Sequence, residues 1–535
     1  MAALVNVIMI RIHQVKCESA KDIESALLKK LNMPKQDLLC WKVHRKSLDA
    51  RGQKVLFSFI IDADVRHEKK YLHKKDVTKA PDETFTFTPK GKLPLENRPV
   101  VAGFGPAGMF ASLLLAQYGY KPLVIERGPE IDQRSKDVDA FWHGGPLKAN
   151  SNVQFGMGGA GAFSDGKLTT RSKDLKARKI FEELVRFGAD PQILYEQHPH
   201  VGTDGFVKII KGLRDEIIKL GGEFYFDSQL DDLEIENDAL KAIHIQDRGW
   251  IGCQALIAAV GHSASDTIRM FARKGLIIEG KPFAVGVRIE HKQAFINQAM
   301  LKERAADPAL IPARYQLTDT VSTGKGVYSF CMCPGGYVIA ASSEPETVVV
   351  NGMSYSDRGG ENANAALLVQ VGPEDTGDGV FDGLAYQERL EHAAYDVSHS
   401  YKAPVQLASD FVEGKSSDHF EDLKPTYPLG TVFTDFNTLL PSPIAKSLRE
   451  ALIAFEKKVP GFLDGAVMSG LETRSSSSVR IVRDRESLLA NVFGFYPCGE
   501  GAGYSGGIMT SALDGMKCAM ALMDNFDKPL NPSLE

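Results

Sequence analysis

The hydrophobic positions change period several times along the chain, and each change predicts an element. Residues 6–12 are a β-rich run, and Ile23, Leu27, Leu28 and Leu31 then recur at helical spacing within 20–31. Two more strand-like runs, 38–44 and 55–63, complete a βαββ order of the split-βαβ kind. From 81 to 99 the pattern lapses into prolines with alternating Thr and Phe, which predicts a linker.

The next stretch, 98–128, reads as strand, glycine turn, helix and strand. Amphipathic helices are expected over 176–187 and 206–220, a strand over 223–226, and a short meander over 230–235, 242–246 and 249–253. Residues 255–260 are apolar throughout, as in a parallel strand buried on both faces. Beyond 283 the β-rich runs 284–289, 327–332 and 336–341 are separated by long polar segments. The Gly/Asp-rich stretch 372–383 predicts a mobile loop. Apolar runs return after 488, and a last helix is expected over 509–522.

These elements predict an α/β chain: a small α+β domain over 1–80, a linker over 81–97, and a Rossmann-like domain in two pieces, 98–282 and 472–535. An inserted α+β substrate domain is expected over 283–471.

The glycine turn carries the first chemistry. Gly103, Gly105 and Gly108 stand in a GxGxxG arrangement, with Pro106 and Ala107 opening the helix. In this motif the first glycine permits the tight turn, the second lets the backbone approach a pyrophosphate, and the third lets helix and strand pack closely. The helix N-terminus offers unpaired N–H groups to the diphosphate. The next strand ends at Glu126, placed to bond ribose hydroxyls. Its charge disfavours a 2′-phosphate. The motif by itself fits NAD or FAD.

Composition narrows the setting. The balance is ordinary for a globular protein, with 43% hydrophobic residues and a net charge of −5. Residues 1–97 hold 19 Lys and Arg against 12 Asp and Glu, a net +7 on an acidic remainder. Opposite charges that help the two parts dock are the plainer reading; an anionic partner is the other. The seven cysteines do not read as a disulfide framework, and Cys331 and Cys333 alone lack zinc spacing, so no metal site is expected. The N-terminus lacks the basic start of a signal peptide, and no apolar run is long enough to span a bilayer. The expectation is a cytoplasmic protein without membrane contact.

Further segments carry a resemblance. They are Arg45 to Arg51, the glycine-dense run from Asn152 to Leu168, Gly261 to Thr267, Met332 to Gly336, Glu472 to Arg474, and Gly499 to Gly507. Through them, over nearly its whole length, the chain resembles the uncharacterised FAD-dependent dehydrogenases, a family with the FAD-binding fold of two-dinucleotide-domain flavoproteins. The resemblance implies bound FAD and a redox role without supplying a substrate. It implies that Arg127 or Arg134 contacts the phosphates or adenine, that Leu230 meets the adenine through its backbone, and that Gly158, Gly159, Ala160 and Gly161 run along the cofactor. Gly261 would turn near it. In the C-terminal flavin motif Gly499 is followed by an acid that bonds the ribitol. That acid is usually Asp, and here it is Glu500. Ser505, Gly506, Gly507 and Ile508 then open a helix whose positive end faces the flavin N1–C2=O2 edge. A second complete GxGxxG is missing, so a nicotinamide donor, if used, has no dedicated domain.

Candidates for the chemistry come from segments expected near the ring: Lys167 on flavin N5 or O4, His262 as proton donor and Cys333 as thiol, with Cys498 a further cysteine of interest. Arg474 and Arg480 are candidates to clamp a carboxylate or phosphate. An FAD-dependent oxidoreductase acting on a small anionic metabolite by hydride transfer is the main reading. The alternative is a flavoprotein that acts on or binds RNA, or a redox-responsive binding protein, resting on Lys42, His44, Arg45, Lys46 and Arg51. Scattered lysines and few stacking aromatics weigh against nucleic acid.

Overall fold

A computed structural model describes residues 9–49, 56–169, 174–307 and 310–531, so the start of the first expected strand and Arg51 lie outside the described residues. The chain forms two compact units: Met1–Thr86 with Lys167–His200, and Phe87–Gly166 with Val201–Glu535.

In the first unit, strands Ile10–Cys17, Leu38–Asp49, Leu56–Val65 and Val77–Lys79 make an antiparallel sheet, with the 10–17 strand between 56–65 and 77–79. Helix Ile23–Leu31 lays Ile23, Leu27 and Leu31 against Ile10, Ile12, Phe59 and Ile61. Segment 167–200 joins this unit: the Lys46 N–H donates to the Tyr195 carbonyl, and Lys46 Nζ lies 2.7 Å from Glu196. The expected division instead kept 98–282 continuous. Helix Leu175–Arg186 lies in the segment that moves.

The second unit holds a five-stranded parallel sheet, in order Phe495–Pro497, Leu256–Ala258, Val100–Ala102, Leu123–Ile125 and Glu223–Tyr225. Val100, Ala102, Leu123, Ile125, Leu256, Ala258 and Phe495 are buried in one core. The residues expected as linker include strand Leu93–Asn97, which pairs parallel with the last strand, Phe526–Asn531. A seven-stranded sheet runs Thr318–Thr320, Gly326–Cys333, Asn362–Val371, Phe283–Lys292, Val467–Glu472, Ala403–Leu407 and Thr431–Phe433. Helices Asp382–Asp396 and Ser442–Lys458 contribute Leu390, Leu448 and Phe455 to its core. The stretch expected as a mobile loop begins instead with helix Pro373–Thr376. Gly372 N–H donates to Asp375 and Gly379 N–H to Asp382, so its acids fasten their own turns.

Candidate functional site

Strand Val100–Ala102 delivers the chain to Gly103, whose φ of +96° only glycine adopts without strain, and helix Pro106–Gln117 starts three residues later. A Cβ on Gly108 would stand 1.8 Å from the Gly103 carbonyl oxygen, so this glycine is required for helix and turn to meet. Gly105 differs: a Cβ there would find only the Gly159 Cα, at 3.6 Å.

Three separated stretches converge on this turn. Gly158 N–H donates to the Phe104 carbonyl at 2.9 Å, and a Cβ on Gly159 would lie 2.8 Å from Gly105 Cα. A Cβ on Gly161 would touch both Pro106 and Ile508, at 3.2 and 3.4 Å. One on Gly499 would reach the Ala107 Cβ at 2.9 Å. Helix Ile508–Asn525 comes so close to helix Pro106–Gln117 that a Cβ on Gly515 would sit 2.0 Å from the Ala107 carbonyl oxygen. Against this packing, Cβ atoms on Gly261, Gly506 and Gly507 would meet nothing within 4 Å. Their faces, with that of Gly105, form a cradle bare of side chains.

Charged groups frame the cradle. Glu126, at the end of strand Leu123–Ile125, accepts N–H bonds from Phe104 at 2.8 Å and from Gly128 and Gly156 at 3.1 Å. A carboxylate has about four acceptor positions, so one remains for a ribose hydroxyl. Arg134 is fully buried, and its guanidinium bonds five backbone carbonyls, those of Asn152, Val153, Gly156, Met157 and Gly159. It shapes the glycine-dense loop, and its donors face that loop rather than a phosphate. Arg127 pairs with Asp266 at 2.8 Å, bonds Thr267, and lies over the Phe155 ring. Thr267 also reaches the Leu230 carbonyl.

At the other end, Glu500 has no side-chain hydrogen bond among the described residues, and burial lifts its carboxyl to about 7 against the pull of Lys281. Lys281 in turn is held below its ordinary range by burial and by Arg480. Arg480 Nε is buried without a partner. Ser505 and Ser511 hydroxyls bond at 2.8 Å across the start of the last helix.

His262 lies beside Ser263, 3.0 Å from its hydroxyl; burial and then Arg474 push it down to about 4. The ring is therefore neutral near pH 7, able to donate or accept a hydrogen bond but not to serve as a cationic acid. Arg474 spends Nε and one terminal nitrogen on Glu391, at 2.6 and 2.9 Å, which leaves only its other terminal nitrogen unpartnered. Arg474 and Arg480 are thus not an equivalent pair of clamps. Cys333 is fully buried and donates its S–H to the Cys331 carbonyl at 3.1 Å. Cys331 has a φ of +42° at an irregularity in its strand, so the rule that residues two apart in a strand share a face does not govern this pair. Near them Arg288, fully buried, lies 2.6 Å from Glu472. Lys167 belongs to the first unit, where its backbone bridges to His200.

The sequence reading missed Lys281, Asp514 and Arg483. Asp514 lies in the middle of the last helix, accepts the Gly499 N–H at 2.8 Å, and takes both ends of the Arg483 guanidinium. Its signal was an acid beside a glycine, Asp514-Gly515, inside an otherwise apolar helix.

Residues 282–475 match the family model described as FAD-dependent protein, C-terminal domain-like, and residues 6–64 match a domain of unknown function. An uncharacterised protein of Clostridium beijerinckii is 42% identical over 531 residues, covering 97% of this chain and 99% of its own. Among solved structures, L-proline dehydrogenase from P. horikoshii aligns at 12% identity and a TM-score of 0.31, over 80% of this chain and 94% of that one. Glycerol-3-phosphate dehydrogenase from Bacillus halodurans, complexed with FAD, aligns at 12% identity and a TM-score of 0.34, over 82% and 66%. Similarity this loose assigns no residue and no reaction. The family match and the end-to-end relative, taken with a cradle of the required chemistry, mean that this chain belongs to the FAD-dependent proteins that share this C-terminal domain, and that its cofactor is FAD.

Proposed function

We propose that the protein is an FAD-dependent oxidoreductase that exchanges a hydride between flavin N5 and a small anionic substrate. The observation that carries this reading is the bare cradle: Gly105, Gly261, Gly506 and Gly507 present open faces where 103–108, 158–161 and 499–508 meet. Bound FAD supplies the two-electron chemistry. The start of helix Pro106–Gln117, with the Ala107 and Gly108 amides, suits the diphosphate, and the remaining acceptor position of Glu126 suits the ribose. Glu500 suits the ribitol hydroxyls. The start of helix Ile508–Asn525 favours negative charge at the N1–C2=O2 edge.

Lys281 stands within electrostatic reach of both Arg480 and Glu500, two cationic side chains to one carboxyl. That surplus of positive charge favours an anionic substrate. His262, neutral and next to the glycine turn at 261, suits a hydrogen bond to the bound cofactor or substrate rather than the uptake of a proton. The seven free cysteines suit a reducing compartment, and no helix among the described residues is long and apolar enough to cross a membrane.

The test is anaerobic titration of the purified protein with NADH, NADPH and fractionated metabolites, followed by the visible flavin spectrum. Bleaching by one donor and recovery with an acceptor is the expected result. A colourless protein that takes up no added FAD ends the proposal.

A further inference from the structure

Behind the flavin motif lies a pair of thiols that the proposed reaction does not use. Cys498 stands between strand Phe495–Pro497 and Gly499, and Cys518 lies in helix Ile508–Asn525; both are 0% exposed. Their sulfurs and an Asp514 carboxylate oxygen all lie within 4.8 Å of one another. The surroundings argue against a cation. Arg483 fills the charge demand of the group, with nitrogens 2.6 and 3.0 Å from Asp514 and 3.4 Å from Cys518 Sγ. A metal ion would have to share its ligands with a fixed guanidinium.

The geometry points to a redox modification site: we propose that Cys498 and Cys518 form a reversible disulfide on exposure to hydrogen peroxide. Peroxide arises wherever a reduced flavin meets oxygen, and it is small enough to enter a closed site. The sulfur of Cys518, which already accepts an N–H from Arg483, attacks one peroxide oxygen. The O–O bond breaks, water leaves with the thiol proton, and a sulfenic acid remains. Cys498 sulfur then attacks that sulfur, the S–O bond breaks, and a second water leaves. Two thiols and one peroxide thus give one disulfide and two waters, with two electrons passing from sulfur to oxygen. Cys498 keeps its proton until this second step, because its bond with Cys518 and its burial hold the thiol well above the ordinary range.

The pair is easy to read. Residues 486–516 contain no Lys or Arg, and trypsin cuts after Lys517, so the two cysteines fall on different peptides. Folded wild-type protein is treated with hydrogen peroxide, denatured with an alkylating agent and digested without reductant. The expected result is a cross-linked pair carrying Cys498 and Cys518, abolished by dithiothreitol. Alkylated Cys498 should fall about tenfold while alkylated Cys253 holds steady. Cys253 is the internal control, equally buried but with its S–H on the Ala255 carbonyl. In Cys498→Ser the cross-link vanishes, and the sulfenic acid on Cys518 becomes trappable by dimedone. If Cys498 and Cys518 stay as fully alkylated as Cys253 in the wild type, or if either links to another cysteine instead, the proposal fails. The readout needs no substrate, so it stands apart from the proposed reaction.

Discussion

At the scale of single residues, the glycines of the site divide by what a methyl group would meet. Gly105→Ala adds a Cβ whose one neighbour is 3.6 Å away, at a φ of −79° that alanine accepts. The FAD-free fold should keep its melting temperature while FAD affinity falls about tenfold or more, equal to about 1.4 kcal/mol, in a fluorescence titration. Gly108→Ala drives a Cβ into a carbonyl 1.8 Å away and should instead lower stability by about 1–3 kcal/mol or more, read by urea unfolding. Glu500 gives a pH signature. Its carboxyl is raised to about 7 in the fold, so the folded state holds this proton more tightly than the unfolded chain. The resulting stabilisation is complete below the ordinary glutamate value and is lost as pH climbs through about 7. Glu500→Gln should remove about 1–3 kcal/mol of that decline in the FAD-free protein, measured by denaturation between pH 5 and about 8.

At the scale of elements, the glycine-dense loop is held less by its own sequence than by one side chain from helix Ile131–Trp142. Arg134 gathers five carbonyls of that loop with one planar fork. Arg134→Lys keeps the charge but loses the fork, and should destabilise the protein by about 1–3 kcal/mol and open residues 152–163 to proteolysis. The strand–turn–helix–strand unit was readable beforehand because its signals are local: apolar runs, glycines at fixed spacing and a terminal acid. Arg134 itself was singled out, but as a contact to the phosphates or adenine. Nothing in its neighbours announces that its donors turn toward a loop 18 to 25 residues ahead. The pairing of Arg474 was hidden for the same reason, since Glu391 approaches from helix Asp382–Asp396, 83 residues away in sequence. Partner choice between distant ionic groups is decided by packing, which spacing does not encode.

At the scale of the whole molecule, elements were more legible than their allegiance. Most expected helices and strands stand within a few residues of where their periodicity put them. Residues 167–200 nonetheless fold with the N-terminal sheet, and Leu93–Asn97 pairs with the far end of the chain, because edge pairing leaves no periodic trace. Deleting 1–86 should therefore strip 167–200 of the sheet it packs on, and limited proteolysis should then cut within that segment first. Within this unit several basic groups are paired: Arg11 with Asp62 and Glu83, Lys16 with Asp49, Lys30 with Asp76 and Lys46 with Glu196. The contact between Gly515 and Ala107 has a different reach. It presses into backbone contact the two helices proposed to face the diphosphate and the flavin ring, though about 400 residues separate them in sequence. If those roles hold, the grip on the diphosphate and the grip on the ring are mechanically one, so strain introduced at either should be felt at the other, and half a ligand should bind far worse than half as well.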